Sequence, residues 1–429
     1  MGAALIASFV ALLLVGVPIA FAMGLAALLA IIAHGGMPFS LLAQRALVGA
    51  DSYALLAIPF FILAGNLMNY GGITERLISF ANAIVGRFRG GLAQSTVLAT
   101  MLFSGISGSA VADASALGKV LIPAMKKQGY GGPFSAALMA AASVCGPIIP
   151  PSIPMVIYAL SVGKGVSIAA LFLGGVVPGL MLGGSLMAMA YFISVKRDFP
   201  VFDAVPWGEL PGRALRAFPA ILTPIIILGG VTAGIVTVTE SAAVAVIYAF
   251  VVTLVLYRGL AWKDIPGILL QTALDSAMVM FIIAMASGFG YLMAISGLPK
   301  QAAAWISSIS TDPLVILMTI NVLLLVVGCF MEAIAAMLIL LPVLIPVVEL
   351  VGVDLTHFGV VMVFNLCLGL LTPPVGILLY ICANFAGVKL EDEIREVMPF
   401  LGMGLLVLLL ITIFPELVLW FPRLILQGA

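Results

Sequence analysis

The sequence predicts an all-α integral membrane protein built from an inverted repeat, with two re-entrant helical hairpins and two broken transmembrane helices. The first observation is composition, since 63% of the 429 residues are hydrophobic and only 8% are charged. Soluble domains carry about 25% charged residues. The composition therefore excludes a soluble enzyme, a nucleic-acid-binding protein and a secreted disulfide scaffold. Eighteen basic and eighteen acidic residues cancel, so no nucleic acid or other polyanionic partner is expected. The other two observations are an internal repeat and the position of glycines and prolines inside apolar runs.

Nine apolar runs are long enough to cross a bilayer, which takes about 20 mostly apolar residues in a helix. They are 17–34, 51–70, 132–161, 167–195, 217–235, 239–257, 267–293, 356–384 and 396–421. The shorter run 3–15 is predicted either as a separate first span or as part of one kinked helix with 17–34. It has no basic region before it, so a cleaved signal peptide is not expected.

Two further apolar regions, 91–126 and 313–350, fit poorly as simple spans. Each has two apolar arms joined by a small or polar middle, and each follows a shorter amphipathic stretch, 74–88 or 299–309. The pattern predicts two re-entrant hairpins, each preceded by an arm helix.

Basic residues orient the chain, because cytoplasmic loops of membrane proteins carry an excess of Lys and Arg. Thirteen of them lie in one set of loops, around 71–90, 126–131, 196–216, 258–266 and 385–395. The opposite side has only four: Arg45, Lys164, Lys300 and Arg423. The first set of loops is therefore predicted to be cytoplasmic. If 3–15 is a separate span, both termini lie outside.

The chain matches itself at an offset of 223 residues. Residues 103–129 lie over 326–352 with nine of 27 positions identical, and the same offset sets the pair Pro150-Pro151 on Pro373-Pro374. The charges that flank the two hairpins indicate that the first opens to the cytoplasm and the second opens outward. The repeats are therefore predicted to be inverted, as in many secondary transporters, whose binding sites lie between the halves near the bilayer midplane.

Small and acidic residues mark the predicted hairpin turns, 104–109 and 328–332. Asp113 closely follows the first turn and Glu332 ends the second. Carboxylates inside a membrane are costly and usually mark a transport pathway or a pairing. The alternative is that the small residues only allow helices to pack closely.

Double prolines interrupt two apolar runs, within 146–154 and its repeat mate 369–376. Proline removes a backbone donor, frees a carbonyl and disfavours helix at the preceding residue. Free carbonyl and hydroxyl oxygens suit a hard cation such as sodium, and the N-termini of half-helices suit an anion. One turn facing one break would make one site, and two repeats would make two. The alternative is a pair of plain proline kinks.

Other polar residues give weaker signals. Asp275 and Glu240 are predicted to hold helices together or to face a partner subunit, and Lys119 to pair with Asp113 rather than to approach a substrate. The four cysteines have no metal-ligand spacing and are predicted to be small buried side chains: Cys145, Cys329, Cys367 and Cys382.

Three stretches resemble a known family, the large membrane subunit of tripartite ATP-independent periplasmic (TRAP) transporters. They are GISGSAVADASALG at 105–118, GPIIPPSIPMVIYA at 146–159 and LGLLTPPVGILLYICANFAG at 368–387. The stretches at 16–24 and 58–68 are also similar, so the resemblance covers nearly the whole chain. It implies an elevator-type secondary transporter, like others of the ion transporter superfamily, in the bacterial inner membrane. It also implies sodium as the coupling ion, a small four-helix membrane subunit and a periplasmic substrate-binding protein. The implied substrates are organic acids such as C4-dicarboxylates, sialic acid and other sugar acids.

The resemblance also implies site residues, carried over motif by motif. The first sodium site would use Ser107, Gly108, Ser109, Gly146, Pro150 and Pro151. The second would use Gly328, Glu332, Gly369, Thr372 and Pro373. The substrate would bind near Ser104, Asp113, Ser115, Ser143, Ser152 and Thr372. No catalytic residue and no organic cofactor are expected.

The predicted division of the chain follows the repeat. Scaffold helices occupy 1–73, and an arm helix, the inner hairpin and the first broken helix occupy 74–165. Scaffold helices with a cytoplasmic loop follow at 166–298. The second arm helix, the outer hairpin and the second broken helix occupy 299–386, and a C-terminal scaffold helix occupies 387–429.

Three other functions compete with this one. A self-sufficient sodium- or proton-coupled anion transporter of the same superfamily would need no binding protein. An intramembrane protease would need a nucleophile with its base or a metal site, and the sequence has no HExxH, GxSxG or paired-aspartate spacing. A purely structural membrane protein would not need paired breaks in its spans.

Overall fold

The fold is α-helical throughout the part of the chain that the computed structural model describes, residues 1–163, 165–199, 206–301, 304, 310 and 312–426. Within those ranges there is no β-strand, and seven helical segments are long and apolar enough to cross a membrane. They are Tyr53–Tyr70, Ile168–Lys196, Leu210–Thr232, Val238–Leu256, Trp262–Ile295, Ala333–Leu350 and Leu390–Ile413. These observations confirm the predicted all-α membrane fold class. Lys164 and most of the predicted arm helix 299–309 lie outside the described residues.

The described part of the first half of the chain forms ten α-helices. They are α1 (Gly2–Leu14), α2 (Ile19–His34), α3 (Ser40–Ala50), α4 (Ala57–Tyr70), α5 (Ile73–Val85), α6 (Gly91–Ser107), α7 (Ala110–Lys127), α8 (Gly132–Ser143), α9 (Ile153–Val162) and α10 (Ile168–Lys196). Helices α6 and α7 are the two arms of the first predicted hairpin, and α8 and α9 are the two pieces of the first broken helix.

The described part of the second half adds nine helices. They are α11 (Leu210–Thr232), α12 (Val238–Val251), α13 (Ile265–Ile295), α14 (Pro313–Gly328), α15 (Ala333–Leu350), α16 (Leu355–Gly369), α17 (Ile377–Ala386), α18 (Leu390–Ile413) and α19 (Glu416–Leu426). The offset of 223 residues sets the first residue of α7 on that of α15, and the first residue of α8 on that of α16. The hairpin and the broken helix are therefore repeated as structure as well as sequence.

The two broken helices form the centre of the protein. Residues 134–143 of α8 and 357–369 of α16 are all buried. A helix that is buried on every face reads as a continuous apolar run in the sequence. The second pieces then cross to the opposite half, since α9 packs on α15 and α16 while α17 packs on α7 and α8. One link between the halves is a hydrogen bond that the Tyr158 hydroxyl donates to the Leu355 carbonyl oxygen at 2.7 Å.

Helix packing separates two bodies in the described chain. Helices α1–α4, α12 and α13 pack mainly on one another, and α11 joins them through α12 while also packing on α5 and α6. Helices α10 and α18, in contrast, pack on the hairpins and the broken helices. Close approach of α10 to the first break shows this directly, because a Cβ atom at Gly175 would lie 2.4 Å from the Ile148 carbonyl oxygen. In α18, the Thr412 hydroxyl accepts a hydrogen bond from the Asn321 amide of α14 at 2.9 Å. We call the first group the scaffold body, and the group formed by α6–α10 and α14–α19 the hairpin body.

Two details differ from the sequence-based expectation, and one open alternative is decided. Helix α3 lies in a segment for which no helix was predicted. The run 3–15 forms a separate helix, α1, which is the first of the two predicted alternatives. The predicted span 396–421 is divided into α18 and α19 around Pro415, because a proline disfavours helical geometry at the residue before it.

Candidate functional site

The first hairpin turns at Gly108, whose φ of 63° is a left-handed conformation that favours glycine. Ser109 follows in an extended conformation, and its hydroxyl accepts a hydrogen bond from the Ala112 backbone N–H at the start of α7. Within the described chain, Ser109 is the residue whose side chain caps the N-terminus of α7. The first N–H groups of α7 have no partner within the helix, and the Ala110 nitrogen lies against the first break, 3.0 Å from a Cβ atom at Gly146.

This turn lies directly against the first break. A Cβ atom at Gly108 would lie 2.7 Å from the Pro151 carbonyl oxygen, and a Cβ atom at Gly146 would lie 2.7 Å from Oδ2 of Asp113 and 2.9 Å from the carbonyl carbon of Ser109. Real Cβ atoms do not approach other atoms this closely, so glycine is required at both positions. The structure thus brings Ser107, Gly108 and Ser109 together with Gly146 and Pro151. The peptide bond between Pro150 and Pro151 is cis.

Asp113 lies inside the hairpin rather than on its surface. Its carboxylate is fully buried and accepts one hydrogen bond from the Ser104 hydroxyl at 2.7 Å and another from the Ser107 hydroxyl. Both serines come from α6 and the aspartate comes from α7, so the carboxylate joins the two arms at the turn. No cationic side chain of the described chain pairs with it.

The second hairpin repeats this arrangement with a different capping residue. The Glu332 carboxylate accepts hydrogen bonds from the backbone N–H groups of Ile334 at 2.9 Å and Ala335 at 3.1 Å. Glu332 is the repeat mate of Ser109. A Cβ atom at Gly369 would lie 2.5 Å from the Gly328 Cα, so the second turn also contacts the second break. The peptide bond between Pro373 and Pro374, at the end of this break, is likewise cis.

Both turns border one cavity of about 700 Å³ between the hairpin body and helices α4 and α13 of the scaffold body. Three helix N-termini contribute to its lining, those of α7, α9 and α15. The residues that do so are Ala110, Val111, Ala112, Ile153, Pro154, Ala333 and Ile334. Helix N-termini carry partial positive charge, so the lining can attract an anion.

The predicted site residues fall into two groups. Ser107, Gly108, Ser109, Ser115 and Glu332 line the cavity. The remainder do not line it, and several are fully buried in the hairpin body. These are Ser104, Asp113, Ser143, Gly146, Pro150, Pro151, Ser152, Gly328, Gly369, Thr372 and Pro373. Ser143 and Thr372 donate their hydroxyl protons to backbone carbonyls one helical turn back, at 2.8 Å in each case.

The cavity also has polar residues that sequence reasoning passed over or assigned elsewhere. Asn66 and Asn69 of α4 line it, as do Gln271 and Asp275 of α13, and Lys119 of α7. The Gln271 amide donates a hydrogen bond to Asp275 Oδ1 at 2.9 Å. The spacing of Ile62, Gly65, Asn66 and Asn69 places them on one helical face, which is the signal that the sequence offered.

One prediction about a charged residue needs correction. Lys119 does not pair with Asp113, which is buried with its two serines, and instead its ammonium lies 5.9 Å from the Phe385 ring. Glu240 is exposed and forms a capping box with Thr237 at the start of α12, so of its two predicted roles the one that faces a partner subunit stays a prediction. The four cysteines are free and buried, as predicted.

Comparisons with known proteins agree on one family. Residues 6–417 match the family model described as "Tripartite ATP-independent periplasmic transporter, DctM component". The sialic acid TRAP transporter large permease protein SiaM of Vibrio cholerae is 40% identical over 97% of this chain and 97% of its own. The C4-dicarboxylate TRAP transporter large permease protein DctM of Pseudomonas aeruginosa is 40% identical over 87% of each chain.

A third relative is longer than this chain. The isethionate TRAP transporter permease protein DctMQ of Oleidesulfovibrio alaskensis is 42% identical over 96% of this chain, and the match spans 65% of that relative's length.

Solved structures show the fold alone. The YdaH transporter of Alcanivorax borkumensis has a TM-score of 0.60 at 16% identity, and the match covers 88% of both chains. MtrF of Neisseria gonorrhoeae has a TM-score of 0.52 at 13% identity, over 86% of this chain and 83% of its own.

Proposed function

Because this chain belongs to the DctM family, the large membrane component of tripartite ATP-independent periplasmic transporters, we propose that it imports an organic acid across the bacterial inner membrane. The sodium gradient drives this import, a periplasmic binding protein delivers the substrate, and a small four-helix membrane subunit completes the complex. The proposal assigns the chain no catalytic chemistry. Names of relatives support a small organic anion as substrate, since they specify isethionate, sialic acid and C4-dicarboxylates.

The observation that carries the proposal is the meeting of both hairpin turns at one cavity between two separately packed bodies. The cavity volume of about 700 Å³ is within the usual range for small-molecule sites, about 300–1,000 Å³. Three helix N-termini and Lys119 offer positive charge to an anionic substrate. In this conformation Ser115 is the predicted substrate residue that lines the cavity.

Sodium fits the two contacts between turn and break. At the first contact, the Ser107 hydroxyl donates a hydrogen bond to the buried Asp113 carboxylate, and the Pro151 carbonyl oxygen faces Gly108 of the same turn. A buried carboxylate held only by hydroxyls is strongly desolvated, and a bound cation would offset that cost. We therefore propose that Asp113 serves the first sodium site rather than the substrate. At the second contact, Glu332 with the hydroxyl and carbonyl oxygens of 369–373 would hold a second ion.

Movement of the hairpin body against the scaffold body would give alternating access. The cavity extends from the turns toward Tyr70, Lys119 and Gln271, which lie toward the loops with excess Lys and Arg. The conformation described here would therefore face the cytoplasm. Because α10 and α18 pack on the hairpins and breaks, we propose that they belong to the moving body, in place of a scaffold role within the predicted segments 166–298 and 387–429.

Reconstituted uptake tests the proposal. The chain is co-purified with the small membrane subunit and placed in liposomes, and labelled organic acids are supplied with or without the periplasmic binding protein. We expect uptake of one acid class only when an inward sodium gradient and the binding protein are both present. Uptake without the binding protein would instead support the self-sufficient anion transporter, and absence of uptake for every acid tested would contradict the proposal.

A further inference from the structure

A second cavity, of about 570 Å³, lies away from the hairpin turns, where α5 meets the start of α11 and residues 256–257, which follow α12. Its polar lining includes three guanidinium groups, those of Arg76, Arg213 and Arg216. All of them belong to segments in or next to the loops that carry the excess of basic residues, so the cavity lies at the cytoplasmic boundary of the membrane.

Two of these arginines are held in place by the protein. Arg76 donates a hydrogen bond to the Gly72 carbonyl at 2.6 Å, and its guanidinium stacks 3.9 Å from the centre of the Tyr257 ring. Arg213 pairs with Glu209 at 2.9 Å. Fixed guanidinium groups lose little conformational entropy when an anion binds between them.

Arg216 is different, because within the described chain its side chain makes no hydrogen bond or ion pair. Glu75 is the carboxylate in the lining, and Glu209 neutralises Arg213. One positive charge therefore remains uncompensated in this cluster. A phosphodiester carries one negative charge, which matches that excess. An arginine guanidinium can donate two parallel hydrogen bonds to two oxygens of one phosphate.

The other wall of the cavity is apolar and faces outward from the protein. Leu215 and Leu256 line it and are 75% and 60% exposed, and Pro219 also lines it. Large leucine side chains exposed at this depth would contact acyl chains. An amphiphile with a phosphate at one end and an acyl chain at the other matches both walls.

We propose that this cavity binds the phosphodiester headgroup of an anionic phospholipid from the cytoplasmic leaflet. Basic pockets between transmembrane helices on the cytoplasmic side are suited to such headgroups. The lipid would contact α5, α11 of the scaffold body and the segment that follows α12. Because α5 packs on α6 of the hairpin body and on α11, the lipid would lie at the junction of the two bodies at the membrane surface.

Native mass spectrometry of the full chain in detergent tests the proposal. The probes are phosphatidylglycerol and phosphatidylcholine with identical acyl chains, and the variants are Arg216→Gln and the control Lys263→Gln. Lys263 is an exposed cytoplasmic cation outside the cavity. We expect retention of phosphatidylglycerol over phosphatidylcholine, and a loss of about fivefold in Arg216→Gln alone, the effect of one cation near a membrane surface. Raised salt should weaken the binding in the wild type.

Three results would overturn the proposal. Equal retention of both lipids by the wild type would show that the cavity does not select a headgroup charge. Unchanged retention of phosphatidylglycerol in Arg216→Gln would place the lipid elsewhere. Displacement of the lipid by millimolar inorganic phosphate, with thermal stabilisation of the delipidated chain by phosphate, would identify a soluble phosphate as the ligand.

Discussion

Asp113 is the residue on which the proposed first sodium site chiefly depends. It is fully buried at the junction of α6 and α7, and its two oxygens accept hydrogen bonds from Ser104 and Ser107. Hydroxyl donors satisfy the hydrogen bonds of a carboxylate and leave its charge uncompensated. A cation held at the adjoining turn and break would supply that compensation.

Substitution of Asp113 by Asn tests this interpretation. The amide keeps the size of the side chain but removes its charge and offers an N–H toward a serine. We expect uptake to fall at least about tenfold, since hydrogen bonds to charged groups contribute about 1.5–3 kcal/mol. The sodium concentration for half-maximal uptake should rise. Both are measured in proteoliposomes at matched amounts of folded protein.

The matched control is Asp198→Asn, which neutralises an exposed carboxylate paired with Arg89. Surface pairs contribute about 0–1 kcal/mol, so this variant should transport as the wild type does. Wild-type sodium dependence in Asp113→Asn would assign Asp113 a purely structural role.

At the scale of elements, the contact between turn and break is the repeated unit. Gly146 approaches the first turn and Gly369 approaches the second, and in neither place is there room for a Cβ atom. Side-chain and backbone oxygens then converge where the two elements meet. The hairpin and the broken helix therefore act as one element, although about 40 residues separate them in the chain.

Alanine at these glycines should separate turn from break. We expect Gly146→Ala and Gly369→Ala each to lower the apparent sodium affinity, because a methyl group displaces the facing backbone by several tenths of an ångström. The control is Gly402→Ala in α18, where a Cβ atom has no neighbour within 4 Å. Alanine there should stabilise the helix by about 0.5–1 kcal/mol and leave sodium dependence unchanged. Equal effects of all three substitutions would argue against a special contact.

The sequence predicts these elements well because turns and breaks depend on local chemistry. Glycine, serine and double proline inside apolar runs specify where a helix must end, and the repeat specifies which turn meets which break. The packing of α10 and α18 on the hairpins and the broken helices was not predictable in the same way. A helix that is apolar on most faces shows no preferred side in its periodicity, so its neighbours are determined by tertiary packing.

The same limit explains the polar residues of the cavity that were missed. Asn66 and Asn69 lie on one face of α4, but nothing in that helix indicates that the facing surface is a cavity rather than a partner helix. Asp275 was assigned to helix contacts for this reason. Only the approach of α4 and α13 to the hairpin turns shows that these side chains border the candidate site.

For the whole molecule, the proposed transport requires the two bodies to move relative to each other. Gly105 of the first hairpin lies against Pro224 of α11, with 3.2 Å between a Cβ atom at the glycine and the Pro224 Cβ. A disulfide needs Cβ atoms about 3.5–4.5 Å apart, so Gly105→Cys with Pro224→Cys should form one after a small shift. We expect oxidation to stop uptake and a reductant to restore it, because the bond would fix the hairpin to the scaffold body.

A cross-link inside one body provides the control. A Cβ atom at Gly174 of α10 would lie 3.2 Å from Cγ1 of Val418 in α19, and both helices belong to the hairpin body. Gly174→Cys with Val418→Cys should keep its uptake when oxidised. Each single cysteine variant is oxidised in parallel. Full uptake by the oxidised Gly105–Pro224 pair would contradict movement between the bodies.

The central claim is that two contacts between turn and break carry two sodium ions, and one measurement tests it most directly. Two sodium ions with a monoanion move one net positive charge, which corresponds to about 2.3 kcal/mol per 100 mV. That energy supports close to a fiftyfold gradient, since about 1.4 kcal/mol is tenfold. Uptake of a monoanionic acid is measured in proteoliposomes against sodium concentration, with and without an interior-negative potential. The account predicts a Hill coefficient above one and faster uptake when the interior is negative. A hyperbolic dependence of uptake on sodium concentration, together with an uptake rate that does not change with the membrane potential, would contradict it.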